Sequence, residues 1–176
     1  MLLKIKDTSI VIEDGDRGSN YPSSNELFDK GYCLFLNNKN ISNDKLICNG
    51  SLYISEEKDK LLRKGKLQYN DIVMTTRGTI GSLLLIDYSF PLPARINSGM
   101  VIVKSGFDFL PKYLYYMFQS NFFKKQLYEN QSGSAQPQLP IKDIRNLYVY
   151  IENKSIQQHI VDIRGINYDT IWNLHF

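Results

Sequence analysis

The chain has 176 residues, of which 43% are hydrophobic and 22% charged, with a formal net charge of +3. These values are typical of one soluble globular domain, and the mild positive charge permits a nucleic-acid partner without requiring one. Cys33 and Cys48 have no CxxC spacing, which argues against a zinc site or a disulfide framework, and no apolar run is long enough to span a bilayer, so a cytoplasmic protein is expected.

Short apolar runs that end in turn formers predict strands in the first third of the chain. These strands are expected at residues 3–12, 32–36 and 52–54. Ser55 is a good N-cap and Gly65 a good C′ residue, so a short helix is expected over residues 56–64.

A long loop rich in turn formers runs from Asp14 to Ser24. Loops of this length in compact domains tend to be functional or disordered. Its side chains include several hydrogen-bond donors, namely Arg17, Ser19, Asn20, Tyr21 and Ser23.

A glycine-containing hairpin is predicted between two apolar runs, 72–76 and 83–86. Gly78 and Gly81 permit positive φ angles and a close backbone approach, so residues 77–81 are expected to form its turn. The hairpin tip presents hydroxyls, a guanidinium and free main-chain N–H groups, which suit contact with a phosphate or a base edge. Alone, such a tip is most simply a turn.

The second half of the chain is predicted to contain more helix. Residues 89–99 form a loop that two prolines bar from helix, and a polar tip is expected at 131–140. The remaining elements are strands at 100–103 and 147–151, helices at 111–119, 121–129 and 154–164, and one helical turn at 141–146. The whole pattern indicates an α+β fold, sheet-rich with a few short helices.

The residue types that most catalytic sites need are scarce. His159 and His175 are the two histidines, and the sequence has neither a GxxxxGK[ST] nor a GxGxxG motif. A nuclease metal site built from Glu13, Asp14 and Asp16 lacks a supporting lysine spacing. We therefore expect no catalytic residue, no metal ligand and no cofactor on this chain.

Four polar loops share the chemistry of DNA contact, because Arg reads guanine, Asn and Gln read adenine, and Ser and Thr bind phosphates. For each loop alone a polar surface connector is the simpler interpretation, and their recurrence favours binding. The candidate DNA-binding residues are Arg17, Ser19, Asn20, Tyr21, Thr75, Thr76, Arg77, Thr79, Arg95, Asn97, Ser98, Ser134, Gln136 and Gln138.

Four of these segments, in order, resemble the specificity subunits of type I restriction-modification systems. The segments are Asp14-Gly15-Asp16-Arg17-Gly18-Ser19-Asn20-Tyr21-Pro22, Asn70 to Gly81, Gly133-Ser134-Ala135-Gln136-Pro137-Gln138-Leu139, and Gln157-Gln158-His159-Ile160-Val161. The resemblance implies a target recognition domain at residues 1–151, which reads one half of a split site in double-stranded DNA. Residues 152–176 would begin the conserved coiled-coil spacer helix, truncated here.

The resemblance also implies partners. A methylation subunit would carry S-adenosylmethionine, and a restriction subunit would carry ATP and Mg²⁺. A second specificity chain could complete a homodimer. The residues expected at a partner interface are Ile156, Ile160, Ile163, Ile171, Trp172 and Leu174.

Two departures leave alternatives open. Family members carry two recognition domains and two long helices, and a proline usually precedes the Gln157-Gln158 helix, where this chain has Ile151 to Lys154. A half-length subunit that dimerises, a truncated or recombined gene fragment, and an excised piece of a longer protein all fit. A fragment that mainly docks a methylation subunit or another specificity chain, with weak DNA binding, is the alternative function, and an independent nuclease is the least favoured.

Overall fold

The computed structural model describes residues 1–132 and 137–164. Its strands are β1 (Leu2–Lys4), β2 (Val11–Asp14), β3 (Cys33–Leu36), β4 (Ile41–Ser42), β5 (Lys45–Leu46), β6 (Leu52–Ile54), β7 (Ile72–Thr75), β8 (Leu83–Leu85), β9 (Ala94–Ile96), β10 (Met100–Lys104) and β11 (Tyr148–Tyr150). Its α-helices are α1 (Glu56–Leu61), α2 (Pro111–Gln119), α3 (Asn121–Asn130), α4 (Ile141–Ile144) and α5 (Lys154–Ile163). The predicted α+β class is confirmed.

A four-stranded antiparallel sheet, in the order β2-β10-β7-β8, forms the centre of the molecule. Successive side chains of each strand point to opposite faces of the sheet, and both faces are packed against other elements. On β7, Ile72 and Met74 pack with α2 and α3, whereas Val73 packs toward the second sheet. This two-sided burial explains why β7 and β10 are almost continuously apolar in sequence.

The second sheet has three strands in the order β6-β3-β9. Strand β3 pairs antiparallel with β6 and parallel with β9, and the chain forms β4 to β8 between β3 and β9. The first and last described strands, β1 and β11, pair antiparallel and bring the N-terminus close to α5. No helix within residues 1–132 and 137–164 combines the length and apolar character needed to cross a membrane.

Most predicted elements are confirmed, with small shifts at their ends. Residues 3–12 are an exception, because they form not one strand but parts of β1 and β2, which belong to different sheets and are separated by a 3-10 helix, Ile5–Asp7. Pro111 begins α2 and Ser120 caps α3, with its hydroxyl accepting a hydrogen bond from Phe123 N at 3.2 Å. The predicted helix 56–64 ends at Leu61, although Gly65 does take a positive φ of 79°. The short hairpin β4–β5 was not predicted, since its turn depends on positive φ angles at Asn43 and Asp44.

The prediction that residues 89–99 form a polar loop with Arg95 at its surface is wrong. Arg95 lies in β9 and is 4% exposed. Its Nε bonds Asp59 Oδ1, its Nη1 donates to Lys64 O at 2.7 Å, and its Nη2 donates to Asp59 O at 2.7 Å. The guanidinium is therefore a structural link between β9 and α1.

Asp59 is the acceptor at the centre of this link. Burial raises its pKa, but the hydrogen bonds from Lys66 and Arg95 outweigh burial and lower the pKa below its usual value. Lys66 reaches the same carboxylate at 2.6 Å from the solvent side. A buried carboxylate of this kind depends on both of its partners.

We predict that Arg95→Met lowers the free energy of unfolding by about 3 kcal/mol, because it leaves Asp59 buried with Lys66 as its remaining charged partner. Urea denaturation would measure the change. The exposed ion pair of Lys60 with Glu56 gives a matched control, and Lys60→Met should have a much smaller effect. Equal stability of Arg95→Met and the unsubstituted chain would contradict this role.

Candidate nucleic-acid interface

Three polar loops meet at one end of the central sheet. Strands β2 and β7 both run antiparallel to β10, with Asp14 opposite Val101 and Thr75 opposite Met100. The loops that follow β2 and β7 therefore lie beside the loop that precedes β10. We call this end of the sheet the loop edge; it consists of residues 15–23, 76–82 and 97–99, together with 137–139, which hydrogen-bond to the second of these loops.

The first loop contacts the loop before β10 through main-chain atoms. A Cβ at Gly15 would lie 2.3 Å from Asn97 O and 2.8 Å from Asn97 C. The Gly15 Cα also lies 3.2 Å from the position that a Cβ on Gly65 would occupy. The crossing of three backbones at this point requires glycine at residue 15.

Two carboxylates on this segment bind the chain that follows α1. Asp16 accepts hydrogen bonds from Gly18 N and Arg63 N, both at 2.7 Å, and Glu13 accepts one from Gly65 N at 3.0 Å. The hydrogen bond from Gly18, followed by that from Arg63, lowers the pKa of Asp16 despite a smaller opposing effect of burial. Both acids have structural partners, and among the described residues no group of His, Cys, Asp and Glu could hold a metal ion.

The second loop is the predicted hairpin tip, and the β7–β8 pairing that carries it is confirmed. Thr75 is fully buried, and its hydroxyl bonds Thr79 O and accepts from Ser82 N at 3.0 Å. The hydroxyl of Thr76 donates to Gly99 O at 3.1 Å, which joins the tip to the third loop. Thr75 was predicted as a DNA contact, and its complete burial makes it a residue that shapes the tip instead. Thr76 is 5% exposed and also bonds within the protein, and DNA contact by Thr76 stays a prediction.

Residues 137–139 lie beside the tip like a short added strand. Gly78 N donates to Pro137 O at 3.1 Å, and Leu139 N donates to Thr76 O at 2.9 Å. Gln138 itself exchanges main-chain hydrogen bonds with Ser132, and its side chain remains exposed. Ser134 and Gln136, the other candidates in this segment, lie outside the described residues.

The loop edge encloses a cleft of about 320 Å³. It is lined by Asp14, Arg17, Thr76, Arg77, Val101, Gln138, Leu139, Pro140 and Ile141. Four of the predicted DNA-binding residues, Arg17, Thr76, Arg77 and Gln138, thus come together although up to 121 positions separate them in sequence. The polar side chains that line the cleft carry two guanidiniums, one carboxylate, one amide and the hydroxyl of Thr76.

The two arginines differ in what already binds them. Arg17 pairs with Asp14, with its Nε 2.9 Å from Oδ2, and also donates to Ser98 O at 3.1 Å. The guanidinium of Arg77 makes no hydrogen bond or ion pair with any described residue. Arg77 is therefore the arginine whose donors are available to a ligand without breaking a contact in the protein.

The remaining candidates have varied placements. Ser19 and Thr79 are exposed. Asn20 and Tyr21 turn toward α1 and β3: Asn20 Nδ2 lies 3.4 Å from Leu61 O, and the Tyr21 ring packs edge-on against Phe35. Asn97 Oδ1 accepts from Gly99 N at 2.9 Å and so shapes its own loop.

Two polar residues of the site were missed at the level of sequence. Asp14 was placed in the loop but not recognised as the partner of Arg17. Asn38 was treated only as the end of a strand, yet its amide donates a hydrogen bond to Arg77 O. The signal that could have found Asn38 is the run Asn37-Asn38-Lys39-Asn40 directly after an apolar strand.

Helix α5 carries the described part of the predicted partner interface. Gln157 is fully buried; it accepts from Leu110 N at 2.7 Å and donates to Asp108 O at 2.8 Å. Ile160 packs against the main core, whereas Ile156 is 42% exposed. Ile171, Trp172 and Leu174 lie outside the described residues, and both the interface and the division of the chain at residue 151 stay predictions.

We predict that Gly15→Ala displaces the loop before β10 and lowers both the melting temperature and any DNA affinity, because the added Cβ would overlap Asn97 O. Gly50→Ala is a suitable control, since Gly50 also has an unusual backbone, with φ 70°, but has nothing within 4 Å of the Cβ position. Thermal unfolding of both variants would measure the difference. A smaller loss for Gly15→Ala than for Gly50→Ala would contradict the proposed crossing.

We also predict a pH-dependent contribution from Asp16. Its folded-state pKa is lowered, so its stabilisation is present above the unfolded value of about 3.9 and is lost as the pH falls through the folded pKa. Asp16→Asn should lower the free energy of unfolding by about 1–2 kcal/mol at pH 7, and this difference should shrink below about pH 4. Urea titrations at pH 7 and pH 3 would test it, and a difference that grows on acidification would refute it.

Comparisons with solved structures find the same fold. A chain described as part of the structural basis for complex assembly and conformational transition of the type I R-M system is 14% identical, with a TM-score of 0.70. The S subunit of a type I restriction-modification system from M. genitalium is 14% identical with a TM-score of 0.65, and the HsdS subunit from Thermoanaerobacter tengcongensis is 16% identical with a TM-score of 0.68.

Each of these alignments covers 94% of this chain but only 36–38% of the matched chain, so this sequence spans less than two fifths of their length. A search of curated proteins gives no match. Residues 9–164 match the family model of the type I restriction modification DNA specificity domain. Because this match spans most of the sequence, the chain belongs to this family of DNA specificity domains.

Proposed function

We propose that the chain recognises DNA sequence at the loop edge, in one half of a split target. The observation that carries this proposal is the cleft in which the uncommitted guanidinium of Arg77 lies with Arg17 and Gln138. The family supports the DNA-binding role, and the geometry of the cleft supports the assignment of this role to these side chains. The loop edge offers a continuous set of polar groups on a rigid sheet, which is how binding residues are commonly held.

The cleft has the chemistry of direct readout in the major groove. An arginine can donate two hydrogen bonds to the O6 and N7 atoms of guanine, and a glutamine can bond the N6 and N7 atoms of adenine. Arg77 and Gln138 are the groups for these contacts. Arg17 is half-exposed and paired with Asp14, and it is better suited to a phosphate. The attraction between its positive charge and a phosphate persists even when Asp14 neutralises part of that charge.

In this proposal the chain supplies recognition and not chemistry. It would direct a methylation subunit, which binds S-adenosylmethionine, and a restriction subunit, which uses ATP and Mg²⁺. Helix α5 would continue into the spacer that joins the recognition domain to these partners, with Ile156 on its exposed surface. Carboxylates such as Glu13 and Asp16 have main-chain partners, which supports structural roles for them.

We predict that Arg77→Ala relaxes the preference for one base pair by about 1–3 kcal/mol, because a bidentate arginine contact discriminates by this amount. The target would first be selected from a random duplex library with the purified chain, alone and together with its methylation subunit. Gel shifts at several salt concentrations would then separate a base contact from a phosphate contact, since a phosphate contact weakens all sequences alike and reduces the salt slope.

Lys112→Ala is the charge-matched control for this experiment. Lys112 lines a different cleft with Asn70, which precedes β7 and so lies at the end of the sheet opposite Arg77. It should leave the base preference unchanged. Failure of the library to yield any preferred sequence, with or without the methylation subunit, would overturn the proposed function.

A further inference from the structure

We propose that Asn38 is a positioning residue for base recognition, which fixes the main chain of Arg77 beside the cleft. This inference rests on the proposed function of Arg77 and goes beyond it, because Asn38 follows a strand of the second sheet and does not line the cleft. It assigns part of the specificity of the domain to a side chain that need not touch DNA.

Asn38 begins a short 3-10 helix, Asn38–Asn40, directly after β3. The helix is capped by Asn37, whose Oδ1 accepts from Lys39 N at 2.9 Å. Strand β3 is central in the second sheet, so this helix begins from a rigid base. A side chain on it can therefore hold a loop of the first sheet in a fixed position.

The amide of Asn38 fills the space between the hairpin tip and the loop before β10. Its Nδ2 donates to Arg77 O, and it lies 3.7 Å from the position of a Cβ on Gly78. Its Oδ1 lies 3.2 Å from the corresponding position on Gly99. A side chain at Gly99 would crowd the amide, whereas one at Gly78 would only touch it, so the loop before β10 leaves room for this side chain.

The hydrogen bond to Arg77 O acts on the arginine itself. The other bonds that hold this part of the tip reach its neighbours: Thr76 N donates to Gly99 O at 2.9 Å, and Gly78 N donates to Pro137 O. Among the described residues, Asn38 is the group that binds the main chain of Arg77. The direction in which the guanidinium projects depends on that peptide, which this amide restrains.

The second atom of the amide argues against a role in stability alone. Asn38 Oδ1 is buried and accepts no hydrogen bond from the described residues. An unpaired buried acceptor is destabilising, and an apolar side chain of the same shape would avoid that cost. The benefit of asparagine at this position therefore lies in its Nδ2 bond to the tip.

These contacts define a sharp substitution test. Asn38→Leu keeps the shape, removes both polar atoms and should change the melting temperature by less than about 3 °C. At the base pair that Arg77→Ala identifies, the preference for the correct base should fall about tenfold, because the peptide that contains Arg77 O keeps only one of its two hydrogen bonds, the one from Gly78 N to Pro137 O. The salt slope of binding should stay the same, because no charge is removed.

Asn40 provides a control two residues along the same 3-10 helix. Like Asn38, it is an asparagine whose Nδ2 binds a main-chain carbonyl, here Ile47 O at 3.2 Å, but it is fully buried and faces the β4–β5 hairpin and not the tip. Asn40→Leu should lower the melting temperature and leave the base preference intact. The two variants thus separate positioning from stability.

A double substitution completes the test. If Asn38 acts through Arg77, adding Asn38→Leu to Arg77→Ala changes the base preference no further. Additive effects, or a base preference that Asn38→Leu leaves unchanged while Arg77→Ala alters it, would overturn this inference but not the proposed function. A lack of effect of Arg77→Ala on a preferred target would instead remove the assignment on which the inference rests.

Discussion

The close main-chain crossing at Gly15 is the constraint on which the arrangement of the loop edge depends. Only a residue without a side chain allows the segment after β2 to lie against Asn97 and beside Gly65. The carboxylates of Glu13 and Asp16 then bind main-chain N–H groups beyond α1, so the crossing is held from both sides. Long polar loops are expensive to order in conformational entropy, and this contact orders two of them at once.

The polar residues of the domain fall into two classes, and the buried ion pair of Arg95 and Asp59 is an example of the first. Arg95, Thr75 and Thr76 have the residue types of DNA contacts, but their donors are used inside the protein. The side chains of Arg77 and Gln138 have no hydrogen-bond partner in the part of the chain that the structure describes. The same chemistry therefore serves architecture or recognition according to burial, and exposure of a polar group, rather than its type, distinguishes the two.

Within the cleft, the two guanidiniums are held to different degrees. Arg17 is held by Asp14 and by Ser98 O, which restrict the conformations of its side chain, and the Asp14 carboxylate also neutralises part of its charge. Arg77 is restrained at its main chain, through Asn38, while its guanidinium has no hydrogen-bond or ion-pair partner among the described residues. A fixed backbone with a free guanidinium suits selective contact, because little order remains to be imposed when a base is bound.

Local sequence determined most of the secondary structure of this protein. The continuous apolar runs of β7 and β10, the proline that begins α2 and the serine that caps α3 all specify their elements through nearby residues. The order of the four polar segments was also sufficient to indicate the family. What only the tertiary structure decided was which polar residues face the cleft. Strand β9 pairs with β3 in parallel across a long separation, which buried Arg95, and the strand register of β2, β7 and β10 joined Arg17 to Arg77; neither pairing leaves a local signal, since both depend on contacts between residues far apart in the chain.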